Sequence, residues 1–180
     1  MILSYGLAKK FNYGDTEIEM LLEAAKYVDT DELHIDGGAS IYRNQIDKGH
    51  FNEEQQKTIE FIIRTHDCEP NAIEEIHIEL FGYGAKVERD GKGWEIARDM
   101  ERTFVHRKNL AEILRNAVTI DRTRFNLTNN KINNLNIEYL KHPKAKKLIL
   151  AGYEINLVQA ISSGEISVID GIPVQKRLIK

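Results

Sequence analysis

One cysteine, three prolines and a single tryptophan stand among the 180 residues, and each scarcity closes off a class of protein. The lone thiol, Cys68, rules out an internal disulfide and suits a reducing cytosol, which excludes a stapled secreted scaffold. With only Pro70, Pro143 and Pro173, the chain has no proline-rich linker. No apolar run approaches the ~20 residues needed to span a bilayer. The opening Met-Ile-Leu-Ser-Tyr-Gly has neither a basic leader nor a secretory apolar stretch, so the expected location is cytoplasmic and off the membrane. Asn126-Leu127-Thr128 matches a glycosylation sequon, which without an export signal reads as chance. Internal repeats and low-complexity tracts are absent, which excludes a solenoid. A net charge of −3 with 42% apolar residues is too balanced for the disordered class.

What is present is a charge split by position. Residues 1–100 carry 11 Lys and Arg against 21 Asp and Glu; residues 101–180 carry 14 against 7. An acidic front and a basic back therefore hide behind the small total, and only the back suits a polyanion.

Local patterns predict mixed structure. Thr16-Glu17-Ile18-Glu19 reads as a capping box opening a helix over 17–28, with Ile18, Leu21, Leu22, Ala25 and Val28 on its buried stripe. Residues 32–36 alternate polar with apolar as a strand would; Asp36-Gly37-Gly38 suggests a turn and 39–43 a returning strand. Asn52 with Gln55 caps a helix to about residue 65, buried through Ile59, Ile62 and Ile63. Ile76, Ile78 and Leu80 alternate with Glu75, His77 and Glu79, predicting a central strand. A hairpin is expected from 86–89, through Asp90-Gly91-Lys92-Gly93, to 94–96. A helix begins near Ala97, and Asn109-Leu110-Ala111-Glu112 suggests a second start, ending near Val118. Residues 166–169 and 172–174 read as a last strand pair joined by Asp170-Gly171.

The expected fold class is α+β: a small antiparallel sheet built from hairpins, packed with amphipathic helices, with room for a small C-terminal helix–helix–hairpin lobe. The expected division is an acidic α+β domain over 1–120 and a basic lobe over 137–180, joined by an asparagine-rich connector at 121–136, with a single domain as the other option.

Two surfaces invite function. In the basic segment, Lys141, Lys144, Lys146 and Lys147 fall close together, and Lys176 and Arg177 near the end of the chain join them if the last strand pair folds back. Phosphate contacts there would release counterions and weaken with salt. Residues 144–151, Gly152 and 155–162 also fit a helix-turn-helix, with Val158 and Ile161 packing inward and Asn156, Gln159 and Ser163 facing base edges. The competing reading of 144–151 is a buried strand.

The second surface is a pair of strand faces. His34 with Asp36, and His77 with Glu79, would converge if their strands were neighbours, giving either a divalent-metal site for phosphoester hydrolysis or a metal-free acid–base pair. A sheet with one wet face shows the same alternation without chemistry. His66 beside Cys68 is better read as a helix-end partner than as part of a thiol nucleophile. Asp47-Lys48-Gly49-His50 resembles the Asp-Arg-Gly-His element of ββα-metal nucleases over four residues, with Lys48 in place of the arginine, and implies no role for any of them. The glycines around Tyr83 and Lys92 do not fit phosphate loops.

These observations favour a non-enzymatic cytosolic binding protein of adaptor, repressor or inhibitor type. It would contact nucleic acid or a nucleoprotein through the basic C-terminal surface, without metal or cofactor. The acidic front would face a basic protein or the back of a second copy in a homodimer. The alternatives are the metal-dependent hydrolase using His34, Asp36, His77 and Glu79, and a structural or assembly protein with no polyanion partner. Under the binding reading, replacing His77 by Ala should cost little.

Overall fold

The computed structural model describes residues 2–28, 37–45, 49–88, 93–121, 158, 161–162, 166–169 and 172–175. The chain divides into two compact units, Met1–Leu114 and Arg115–Lys180. In order, the first unit holds α1 (Ile2–Lys10), α2 (Asp15–Ala24), α3 (Gly37–Arg43), α4 (Glu53–Thr65), α5 (Pro70–Phe81) and most of α6 (Trp94–Asp121). The end of α6 belongs to the second unit, with β1 (Ile166–Ile169) and β2 (Ile172–Gln175).

The first unit is built around α4. Asn52 accepts the Gln55 N–H through its side chain at 2.9 Å, and the Gln55 side chain accepts the Asn52 N–H at 2.9 Å, the box expected from sequence. Six consecutive residues, Thr58 to Ile63, are buried. Since 3.6 residues complete a turn, such a run presents every face of the helix to protein. α2, α3 and α5 pack against it, and α1 packs on α2. The one acid in that run, Glu60, is neutralised by Arg43 at 3.1 Å.

The α+β expectation is overturned: among the described residues, every element of the first unit is a helix, and the strand expected at 32–36 lies outside them. Residues 75–80, expected as a strand, lie inside α5. Pro70 at its first turn needs no N–H partner, and Gly82 closes it at φ 79°, a left-handed cap that glycine adopts without a Cβ penalty. The burial follows the helical period, with Ile73 and His77 inside while Glu75 and Ile78 are exposed. Residues 39–43 are likewise helical, in α3. A Cβ on Gly38 would lie 2.1 Å from the Tyr27 carbonyl oxygen, so this glycine serves a close backbone approach instead of a turn.

The returning strand of the hairpin expected over 86–96 does not form, since Trp94 to Ile96 are the first turn of α6, while residues 89–92, which hold the expected turn, lie outside the described residues. No new helix starts at Asn109; α6 runs unbroken for 28 residues because Phe104, Leu110, Ala111 and Leu114 continue one buried stripe through that point. The box expected at Thr16 does not form: α2 starts at Asp15, its N-cap Gly14 has no side chain to cap with and only donates its N–H to the Glu17 carboxylate, and the helix stops at Ala24.

In the second unit, β1 and β2 pair antiparallel, with Ile166 opposite Gln175 and Ile169 opposite Ile172, where the sequence places its last strand pair. Residues 158, 161 and 162 have helical backbone. Val158 and Ile161 are exposed at 62% and 37%, the opposite of the inward packing a helix-turn-helix asks of them. Among the described residues no helix is long and apolar enough to cross a membrane.

Candidate functional site

Among the described residues of the first unit, the densest polar cluster gathers on Arg107, a residue only 4% exposed on the inner face of α6. Its Nε donates to Thr58 Oγ1 at 3.3 Å, and one terminal nitrogen donates to the Tyr83 hydroxyl at 2.8 Å and to His77 Nε2 at 3.2 Å. The other donates to Glu54 Oε1 at 2.7 Å. The guanidinium carbon lies over Phe81, 3.6 Å from the ring centroid. A buried guanidinium demands this, because each N–H left without an acceptor would cost about 1–3 kcal/mol.

His77 forms the back of the cluster and is 0% exposed. Phe61 from α4, Phe81 at the end of α5, Tyr83 beyond it and Phe104 from α6 surround its ring at centroid distances of 4.5 to 5.3 Å. Its Nδ1 meets the Tyr83 carbonyl at 2.7 Å. A carbonyl only accepts and a guanidinium only donates, so Nδ1 carries the hydrogen and Nε2 offers its lone pair to Arg107. Both ring nitrogens are occupied by the neutral form. Burial pushes the His77 pKa down and the Arg107 charge adds to it, while the Tyr83 carbonyl and Glu74 work the other way.

The left-handed turn at Gly82 folds Tyr83 back over α5 and so makes both of its contacts possible. Glu74 fastens the segment by accepting Ala85 N–H at 2.8 Å, and Glu101 of α6 accepts Val87 N–H at 3.3 Å. Clefts of about 190 and 380 Å³ open beside the cluster, and both are lined in part by Glu54 and Arg107.

His77 and Glu79 do not converge. Two positions apart on a helix they lie about 200° apart, and Glu79 instead takes a bidentate pair from Arg64 at 2.8 Å, which holds its carboxyl below the usual range. The strand-face site is thereby corrected. His34 and Asp36 lie outside the described residues, as do Lys141, Lys144, Lys146, Lys147, Asn156, Gln159, Lys176 and Arg177. His66 is the C-cap of α4, its Nδ1 2.6 Å from the Ile63 carbonyl oxygen, as a helix-end partner would be. Cys68 is buried with its sulfur 3.6 Å from the Thr65 carbonyl oxygen. His50 pairs with Glu19 at 3.0 Å.

No known protein decides the matter. Comparison with protein-family models, curated proteins and solved structures finds no match to this chain. Among the described residues, no group of three or more His, Cys, Asp or Glu side chains is placed to hold a metal ion.

Arg107, Glu54 and Tyr83 are the residues that sequence reading misses. The missed signal is an arginine on an apolar stripe: Met100, Phe104, Arg107, Ala111 and Leu114 follow helical spacing, and a cation in that row requires partners. On α5, the row Ile73, His77 and Phe81 carries the matching signal.

Proposed function

We propose that this chain is a cytoplasmic binding protein that contacts nucleic acid or a nucleoprotein through phosphate, using its basic carboxyl-terminal part. One coincidence supports the reading. The division into compact units falls where the charge changes sign, with a formal −9 on residues 1–114 and +6 on residues 115–180. A polyanion is attracted to the second unit and repelled by the first, which favours one mode of approach. Lys141, Lys144, Lys146, Lys147, Lys176 and Arg177 supply the charge for such contacts. Phosphate contact needs no reader helix, so the exposure of Val158 and Ile161 weighs against base reading by Asn156 and Gln159 and leaves the electrostatic part intact.

The test is an electrophoretic mobility shift of duplex and single-stranded nucleic acid by the whole chain at low and at raised salt. A shift that fades steeply with salt, and is lost in the triple variant Lys144→Glu, Lys146→Glu, Lys147→Glu while the melting curve holds, is the expected result. Binding that ignores salt, or no shift at low salt, removes the proposal and leaves the assembly reading.

A further inference from the structure

We propose that Arg107 is the floor of a binding site for a small organic anion, and that the Glu54 carboxylate occupies this site as a built-in stand-in for the ligand. The partners that fix the guanidinium are the Thr58 hydroxyl, the His77 lone pair, the Tyr83 hydroxyl and the Phe81 face, every one of them uncharged in the tautomer the geometry requires. Among the described residues, the single charged group bonded to Arg107 is Glu54. The cation is thus held in place by neutral groups, and its charge is balanced by one carboxylate arriving from outside.

That carboxylate is exchangeable in a way the rest of the cluster is not. The Glu54 side chain is 73% exposed, whereas that of Arg107 is 5% exposed. A ligand carboxylate or phosphate taking the same nitrogen would replace like with like. The buried guanidinium never loses its counter-ion, and Glu54 moves into water that already surrounds most of it. Removing Arg107 from its partners would be costly, while removing Glu54 in exchange for another anion would not.

The space beside the bond says what else the ligand carries. The 380 Å³ cleft, of the size that holds a small molecule, is lined by Leu80, Phe81 and Tyr83, by the cations Lys57 and Arg107, and by the carboxylates Glu53 and Glu54. Lys57 is engaged by Glu53 at 2.9 Å, a second exposed carboxylate of the same kind. The fitting ligand is a carboxylate or phosphate ester with a small apolar body that the Leu80, Phe81 and Tyr83 side chains can border.

The experiment uses the full chain and its Glu54→Gln variant, followed by thermal unfolding with phenyl phosphate, benzoate, inorganic phosphate or chloride at matched ionic strength. Gln keeps a side-chain oxygen that can accept from Arg107 while removing the competing charge, and the variant's melting curve without ligand reports whether it folds. Phenyl phosphate or benzoate should raise its melting temperature by on the order of 3 °C at ten times the dissociation constant, with an affinity at least about tenfold tighter than in the unaltered chain. Whichever of the two gives the larger shift tells a phosphate from a carboxylate ligand. Adding Arg107→Lys to Glu54→Gln, which keeps the charge and loses the planar fork, should shrink the response. Equal responses with and without Glu54 would put the anion on the basic carboxyl-terminal lysines and overturn the proposal. A response no larger than that to chloride overturns it too, and equal shifts with inorganic and phenyl phosphate overturn the apolar half of the site.

Discussion

His77 does its work by staying neutral. Its ring is sealed among four aromatic rings, one nitrogen donating to a carbonyl and the other accepting from a guanidinium, so a proton added at Nε2 would set two cations side by side in a dry box. The consequence for stability has a definite sign. The unfolded chain takes up this proton near the ordinary value of 6.5, while the folded chain resists it to a lower pH. Stability from this residue is therefore complete above the ordinary imidazole range and is lost as the pH falls through it toward the folded value. Urea melts at about pH 7.5 and about pH 5.5 should show a larger loss for the unaltered chain than for His77→Gln, which cannot titrate. His77→Ala should cost about 2–4 kcal/mol, because it leaves a cavity and robs Arg107 of an acceptor. The binding reading expects this change to be nearly silent; the burial of His77 in α5 gives it a structural cost instead.

At the scale of elements, what could be read from the sequence depended on whether a pattern reported burial or composition. The Asn52–Gln55 box and the triplet Ile59, Ile62, Ile63 were legible because capping and packing act there on local residues. In α5 the alternation of isoleucine with glutamate looked like a strand, yet Ile78 is exposed and Glu79 is held by an arginine from α4. A twelve-residue stretch opened by a proline and followed by a glycine was the better evidence. At α6, the Asp-Gly turn signal before Trp94 outweighed an apolar stripe that becomes visible only over several turns. The Arg107 cluster was illegible for another reason: its contacts join residues 24 to 53 positions apart, and no local window contains them. Gly37-Gly38 reads as a turn signal, yet the second glycine answers to the Tyr27 carbonyl across the fold. Gly38→Ala should for that reason cost several times the ~1 kcal/mol that alanine ordinarily gains over glycine within a helix, and in the opposite direction. Thermal melts of that variant beside Gly6→Ala, where a Cβ meets nothing within 4 Å, provide the comparison.

For the molecule as a whole, opposite charge on the two units makes ionic strength the variable to control. If four lysines or arginines each meet a phosphate, the logarithm of the affinity for duplex DNA should fall against the logarithm of salt with a slope of about −3.6. The triple lysine variant should flatten that slope along with the affinity. Gel filtration at the same salt concentrations reports separately on pairing between copies, which charge complementarity between the two units would favour. The ring around Arg107 has a further consequence, in time. The partners of Arg107 lie 24 to 53 positions from it in the chain, so the complete ring is expected to close late in folding. Followed by the fluorescence of the single tryptophan, Arg107→Met should refold at nearly the parent rate and unfold at least about ten times faster. The cluster then acts as a latch on the finished fold, setting how long the amino-terminal unit persists once it has formed.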